Sequence, residues 1–249
     1  MSKFLILTGS SGGIGQSISE TYSKDGYTVL ELDKINKTQS NKNAIYLKVD
    51  LLKYSKDHDY RSKIKKHIKS FIPEDIKKFV IINNAAVQIL NPLSRISNSD
   101  WDNTLSVNLI APFFLIQDFE EELKKYKGHI VNISSIHSRL TKTNFLCYAS
   151  SKAAIDSMTR SLAIELSKFG VKVNAVSPAA IKTEMLKKGF TGRLNKLNQL
   201  ESCHPAKEIG NPDDLATFIK SITDQVSNFM TGSIFDFNGG IGGRLNDPE

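Results

Sequence analysis

Short runs of consecutive apolar residues alternate along the chain with longer stretches in which apolar residues recur every three or four positions. The short runs have the pattern of strands buried on both faces, and the long stretches that of amphipathic helices. Residues 4–7, 28–32, 44–49, 79–82, 129–133, 171–176 and 233–237 read as strands. Helical spacing runs through Ile18 and Tyr22 to a stop at Gly26, and through Tyr60, Ile64, Ile68 and Phe71. It returns over residues 100–125, 148–169 and 212–221. Strand and helix alternate with no linker and no internal repeat. This predicts an α/β fold with a parallel sheet covered on both faces and right-handed crossovers. A single domain over residues 1–249 is expected.

One segment breaks the rhythm. Residues 182–207 are long, basic and interrupted by Gly189, Gly192 and Pro205, and they leave from a strand end. Excursions of this kind are lids or binding loops in compact domains, so a substrate lid is expected here. Lys182, Lys187, Lys188, Arg193, Lys196 and Lys207 oppose only Glu184 and Glu201, a surplus of four that favours an anionic substrate.

Three local patterns carry chemistry. Thr8-Gly9-Ser10-Ser11-Gly12-Gly13-Ile14-Gly15 follows an apolar strand and opens a helix. Glycines there let the backbone turn sharply and approach a diphosphate, whose charge meets the helix N-terminus. Asp33 ends the next strand, eighteen residues after Gly15. A carboxylate at that point can accept both hydroxyls of an adenosine ribose and repels a 2′-phosphate, which favours NAD over NADP. Tyr148 and Lys152 stand four apart in a helical pattern, so phenol and ammonium share one face. A nearby cation favours the phenolate of a tyrosine whose ordinary pKa is about 10. Ser135 ends a strand thirteen residues before Tyr148, where its hydroxyl can polarise a substrate oxygen.

Composition and charge exclude other classes. The chain is ordinary in its apolar content (40%), so disorder and low-complexity repeats are ruled out. Net charge is +7, and residues 53–69 hold seven basic and two acidic residues. Tyr60, Ile64 and Ile68 recur beneath them, which makes this a solvated helix face rather than a nucleic-acid patch. The longest apolar stretch, 109–116, is eight residues long and contains Pro112, and residues 4–7 are too short for a signal-peptide core. No membrane association is expected. Cys147 and Cys203 are too few for a disulfide framework or a multi-cysteine zinc site and fit a reducing cytoplasm. His137 has no partners at metal-ligand spacing, so no metal is expected.

Taken in order, these patterns resemble the short-chain dehydrogenase/reductase family over essentially the whole chain. The matching pieces are the glycine segment 8–15, Asn83-Asn84-Ala85-Ala86, Asn108 in Ser-Val-Asn, Ser135, and the Tyr148/Lys152 pair. Val49-Asp50, followed by Leu51, resembles the family's adenine-contacting strand end. Residues 177–183, with Pro178, Ile181 and Thr183, resemble its nicotinamide-side loop. The resemblance implies a Rossmann-type doubly wound sheet of about seven strands, an NAD-type cofactor and a homotetramer or homodimer. It implies cofactor contacts at Gly9, Ser11, Gly13, Ile14, Gly15, Asp33, Asp50, Leu51, Asn84 and Ala85, and again at Tyr148, Lys152, Pro178, Ile181 and Thr183. It also implies roles. Tyr148 is the general acid in reduction and the base in oxidation. Lys152 holds the nicotinamide ribose and lowers the phenol pKa. Ser135 orients the substrate oxygen, and Asn108 supports a water relay to Lys152. Three positions depart from the family: Ala86 and Ala179 where Gly is usual, and Asn238 where Asp is common.

The small-molecule substrate is less legible. Gln88 and His137 follow matched segments closely and are candidate substrate contacts. The pair resembles the 3-hydroxybutyrate dehydrogenase branch, but Phe145 stands where that branch has a lysine. NADPH-dependent 3-oxoacyl reduction is a second alternative. A catalytically silent NAD sensor is a third, although such a protein would tend to lose Ser135, Tyr148, Lys152 and Asn108, all present here.

Overall fold

The computed structural model describes residues 2–35, 43–184, 186 and 194–244. Seven parallel strands lie in one sheet: β1 (Ser2–Thr8), β2 (Tyr27–Asp33), β3 (Ala44–Lys48), β4 (Ile76–Asn83), β5 (His129–Ile133), β6 (Lys172–Pro178) and β7 (Ile234–Phe237). Their order across the sheet is β3-β2-β1-β4-β5-β6-β7. Chain direction across the sheet reverses between β1 and β4. That reversal opens a crevice beyond the carboxyl ends of those strands, where ligands bind in folds of this type.

Side-chain alternation divides each central strand between two apolar cores. Phe4, Ile6, Phe79, Ile81, Ile130 and Val173 join one core with Ile64 and Ile68 of α3 (His58–Lys69), Leu115 of α5 (Ala111–Asp118) and Leu166 of α7 (Leu146–Ser167). Leu5, Leu7, Val80, Ile82, Val131 and Val176 face the other way. They meet Ile18 and Tyr22 of α1 (Gly13–Lys24) and Leu215, Ile219 and Ile222 of α9 (Pro212–Asp224). Each fully buried aliphatic side chain contributes about 1.5–3 kcal/mol. A polar chain crosses the first core. Asn83 donates to Asn132 at 2.8 Å, Asn132 to Thr159 at 2.9 Å, and Thr159 to the Ile155 carbonyl at 2.8 Å. It ties β4 and β5 to α7 in one register. No helix among the described residues is long and apolar enough to cross a membrane.

Three elements differ from expectation. The basic helix breaks at Asp57 into α2 (Leu51–Lys56) and α3, because Asp57 is extended and its carboxylate accepts from the Tyr60 amide to start the second piece. The stretch over residues 100–125 divides into α4 (Asn98–Leu105), a π-turn at Ser106–Ile110, α5 and α6 (Glu120–Lys125). Within the expected lid, α8 (Leu194–Cys203) is a helix, while 185 and 187–193 lie outside the described residues.

At the amino edge of the sheet, His129 of β5 pairs with Lys172 of β6, and both are buried. Burial, then Lys172 and Lys78, push the His129 pKa down to about 3. From pH 6.5 down to that value the unfolded chain takes a proton that the folded chain refuses. Stability present above 6.5 is therefore lost on acidification. Between pH 7.5 and 4.5 the wild type should lose about 2–3 kcal/mol more than His129→Gln in urea unfolding. Equal losses would show that His129 is not the titrating group.

Candidate active site

The crevice is built from backbone before side chains. β1 ends at Thr8, and Gly9 turns with φ +67° and donates to the Leu32 carbonyl at 2.8 Å. A Cβ at Gly9 would lie 2.7 Å from the Ala85 Cα, and one at Gly15 would lie 2.1 Å from the Gly9 carbonyl oxygen. Neither position tolerates a side chain. The loop is folded against itself and against the end of β4, and α1 starts directly behind it. Gly12 is the N-cap of α1, with no side-chain cap and no acidic residue in the first turn. The amide end of α1 is thus left for an anion. The buried hydroxyls of Ser10 and Ser11 have no partner among the described residues. Glycine cradle, uncapped helix and orphaned hydroxyls fit a dinucleotide diphosphate. Thr183 faces this loop across the crevice, its methyl 3.1 Å from where a Gly13 Cβ would stand. Ile14 packs on the second core.

Asp33 closes β2 beside the same loop. Its carboxylate accepts from the Ser11 amide at 3.0 Å and from the Ile35 amide at 3.1 Å, which fixes its direction. Asp50 is used differently, since its carboxylate caps α2 by accepting from Leu52 at 2.9 Å and Lys53 at 3.3 Å. Leu51 is the first residue of that helix. Asn84 donates to the carbonyls of Thr8 at 3.1 Å and Gly9 at 2.9 Å. In return the Thr8 hydroxyl accepts from the amides of Asn84 at 3.0 Å and Ala85 at 3.1 Å. Thr8 is the clasp here, a role its place in the motif did not reveal. Pro178 ends β6, and Ile181 bridges to Gly210 beyond it. Ala86 and Ala179 sit outside the left-handed region, so alanine is accommodated at both glycine-type positions.

Ser135, Tyr148 and Lys152 lie on adjoining elements at the carboxyl end of β5. Ser135 follows the strand and accepts from the His137 amide at 3.2 Å. Tyr148 and Lys152 are one turn apart in α7, with the ammonium 5.5 Å from the phenol ring centroid. The Lys152 ammonium is buried and donates to the Ile133 carbonyl at 2.6 Å. Burial pushes its pKa down to about 8, with Asp156 opposing. Burial also pushes the Tyr148 phenol up, opposed by the neighbouring Ser135 hydroxyl. The expectation that Lys152 lowers the phenol pKa is corrected by this arrangement. Both groups are desolvated, and the ammonium is spent on Ile133 rather than on the phenol.

Asn108 sits in the π-turn with both ends of its amide committed. Its oxygen accepts from the Val87 amide at 2.8 Å, and its nitrogen donates to the Val87 carbonyl at 2.9 Å and to Ser151 at 3.0 Å. Ser151 donates onward to the Tyr148 carbonyl at 2.7 Å. Asn108 is therefore a positioning residue that pins the segment after β4 to α7. Ser151 is an unforeseen member of the site, although its place between Tyr148 and Lys152 was a clue. His137 stacks on Phe145 with centroids 4.2 Å apart and meets Tyr148 edge-on at 5.9 Å. Its Nδ1 is 3.0 Å from the Thr141 hydroxyl. Burial and Lys142 push its pKa down to about 4, so the ring is neutral near pH 7. Gln88 is exposed and forms no hydrogen bond among the described residues, so nothing ties it to His137.

This geometry has clear counterparts. The profile of the family described as short chain dehydrogenase matches residues 3–193. The chain is 30% identical to an NAD-dependent glycerol dehydrogenase of Listeria innocua, over 96% of this chain and 93% of that protein. It is 29% identical to a 3-oxoacyl acyl-carrier-protein reductase of Thermotoga maritima, over 96% and 97%. The solved structure of ElxO with NADP bound superposes with a TM-score of 0.85 at 26% identity, covering 98% of this chain and all of that one. The profile spans every element from β1 through α7 and β6, and the relatives align from end to end. By that measure the chain is a member of the short-chain dehydrogenase/reductase family.

Proposed function

We propose that the chain transfers a hydride between NAD(H) and a small polar alcohol or carbonyl compound, with Ser135, Tyr148 and Lys152 acting on the substrate oxygen. The observation that carries this is the placement of the three side chains at the carboxyl edge of the sheet, beside a glycine cradle that fits a dinucleotide. The bound nicotinamide supplies or accepts the hydride. Tyr148, protonated at neutral pH, donates its proton to the carbonyl oxygen in reduction and recovers it in oxidation. Ser135 would hold that oxygen, and Lys152, whose ammonium stands 5.5 Å from the phenol ring, would hold the cofactor ribose and supply positive charge beside the phenol. His137 presents a neutral ring next to Tyr148 and suits a substrate hydroxyl. The hydroxy-acid alternative has less support, because Gln88 is exposed and Phe145 packs on His137 where a lysine would be needed. Likeness to the glycerol dehydrogenase favours a polyol or a related carbonyl. Screening such compounds for reduction of NAD tests the reading, and no turnover with any alcohol or carbonyl would sink it.

NAD is proposed over NADP on the strength of Asp33. Relatives include both an NAD-dependent enzyme and an NADP complex, so family membership does not decide the matter. A carboxylate within a few ångströms of a 2′-phosphate costs roughly 1–4 kcal/mol at effective dielectrics between bulk water and a protein surface. kcat/KM for NAD should exceed that for NADP by at least about tenfold, and Asp33→Ser should narrow the gap. Equal use of NADP by the wild type would mean that Lys34 outweighs Asp33.

A homodimer or homotetramer is also proposed. Trp101, Ile110 and Phe113 around α4 and α5, and Leu146 and Ile164 on α7, expose large apolar surface. Such patches on a folded chain mark contact surfaces. Light scattering that returned 27.7 kDa at micromolar concentration would refute association.

A further inference from the structure

Strand β3 lies at the edge of the sheet beside β2, in a register that sets Tyr46 opposite Glu31 and Lys48 opposite Asp33. Tyr46 is half-buried, and its hydroxyl reaches past the end of β2. It donates to the Asp33 carbonyl at 2.9 Å and also meets the Ile35 carbonyl. Carbonyls only accept, so the two share the one phenolic hydrogen. The Asp33 carbonyl takes a second hydrogen bond from the Val49 amide at 2.8 Å. Burial, then the charges of Asp33 and Glu31, push the Tyr46 phenol up, so it stays protonated and able to donate at neutral pH.

These contacts close a small turn. The Ile35 amide donates to the Asp33 carboxylate two residues back, which makes an Asx turn. The Ser11 amide of the glycine loop donates to the other oxygen of that carboxylate. Lys34 is the middle residue of the turn and is exposed. The turn therefore holds a carboxylate against the glycine cradle and a lysine away from it. A 2′-phosphate calls for the reverse, with the carboxylate swung out and a cation brought in. Swinging Asp33 out breaks its bonds to Ser11 and Ile35. Bringing Lys34 in shifts the two carbonyls that the Tyr46 hydroxyl ties together.

We propose that Tyr46 is a specificity-determining positioning residue: by tying the Asp33 and Ile35 carbonyls it locks the turn in the form that accepts a plain adenosine ribose and refuses a 2′-phosphate. The inference rests on the reading of Asp33 as the group that selects NAD. Calorimetric titration of the full chain with NADH and with NADPH, without substrate, reads the discrimination directly. Tyr46→Phe removes the hydroxyl and keeps the ring, and on a half-buried edge position it should melt close to the wild type. The ratio of NADH to NADPH affinity should fall at least about fivefold, the typical net contribution of one hydrogen bond. Amide exchange at Ile35, followed by NMR with no cofactor present, should quicken by a similar factor while Leu30 in the middle of β2 keeps its rate. A wild type that binds NADPH as tightly as NADH would overturn the Asp33 reading and this inference with it. A wild-type preference for NADH that Tyr46→Phe leaves intact, including by equal loss of both affinities, would overturn this inference alone. Free exchange of the Ile35 amide in the wild type would overturn it without any variant, because the turn would then be open already.

Discussion

Replacing Tyr148 by phenylalanine is expected to lower kcat by about 10²–10⁴-fold while cofactor affinity stays within about twofold. The substitution removes one oxygen and its proton and keeps the ring. Its edge contacts with His137 at 5.9 Å and Phe145 at 6.3 Å are contacts of the ring and survive. The clasp on its backbone through Ser151 and Asn108 does not involve the hydroxyl either. Melting should therefore be nearly unchanged, because the change removes one hydroxyl of a half-buried side chain and its interaction with Ser135, worth about 1 kcal/mol. The pH dependence offers a second readout. Burial holds the phenol above its ordinary range, so any limb in the wild-type profile that belongs to it should vanish from the residual rate of the variant. Stopped-flow binding of NADH together with steady-state rates separates the two effects. A rate loss below tenfold would remove Tyr148 from the proton-transfer role, whatever the fold family.

How far the fold and site were legible depended on whether the signal was local. Strand β5 was readable to the residue, because residues 129–133 form a buried run closed by Gly128 on one side and Ser134 on the other. The glycine cradle was equally legible, since its need for small residues is set within eight positions of the chain. The break at Asp57 was visible in principle: an aspartate three residues before Tyr60 is an N-cap signal, but the surrounding lysines read as one continuous helix face. Helix α8 was hidden by the glycines and charges around it, although Leu194, Leu197 and Leu200 keep helical spacing. What the chain concealed was non-local. The commitment of Asn108 to Val87 and Ser151 depends on three segments meeting at a π-turn. The direction of the Tyr148 shift depends on how deeply the site is desolvated, and no motif encodes depth. Gln88 shows the converse, a residue placed near the site by sequence proximity that the fold leaves in solvent.

Lys152→Met should abolish most turnover, weaken cofactor binding and yet leave the fold as stable as the wild type at pH 7. The basis is the cost of holding an ammonium in the core. Lys152 is 3% exposed, and burial pushes its pKa from 10.5 down to about 8. Below pH 8 the folded and unfolded chains both hold the proton, and the folded one bears the desolvation. Between pH 8 and 10.5 the folded chain has released a proton that the unfolded chain retains, so stability rises with pH across that window. The gain is on the order of 3 kcal/mol for a shift of this size. Methionine fills similar volume without a charge and has no such window. Its losses are the hydrogen bond to the Ile133 carbonyl, worth about 1 kcal/mol, and the attraction of the neighbouring Asp156, which the removed desolvation offsets. Denaturant unfolding of both proteins at pH 7 and pH 10.5 should show the wild type gaining on the variant as pH rises. In activity the variant loses the cation beside the phenol and the group offered to the cofactor ribose, so kcat falls by at least about 10² and KM for NAD rises. A variant that melted well below the wild type at pH 7 would mean that Lys152 is a structural cation held by its neighbours. A stable variant with near-normal turnover would mean that the ammonium never leaves Ile133 to serve the reaction.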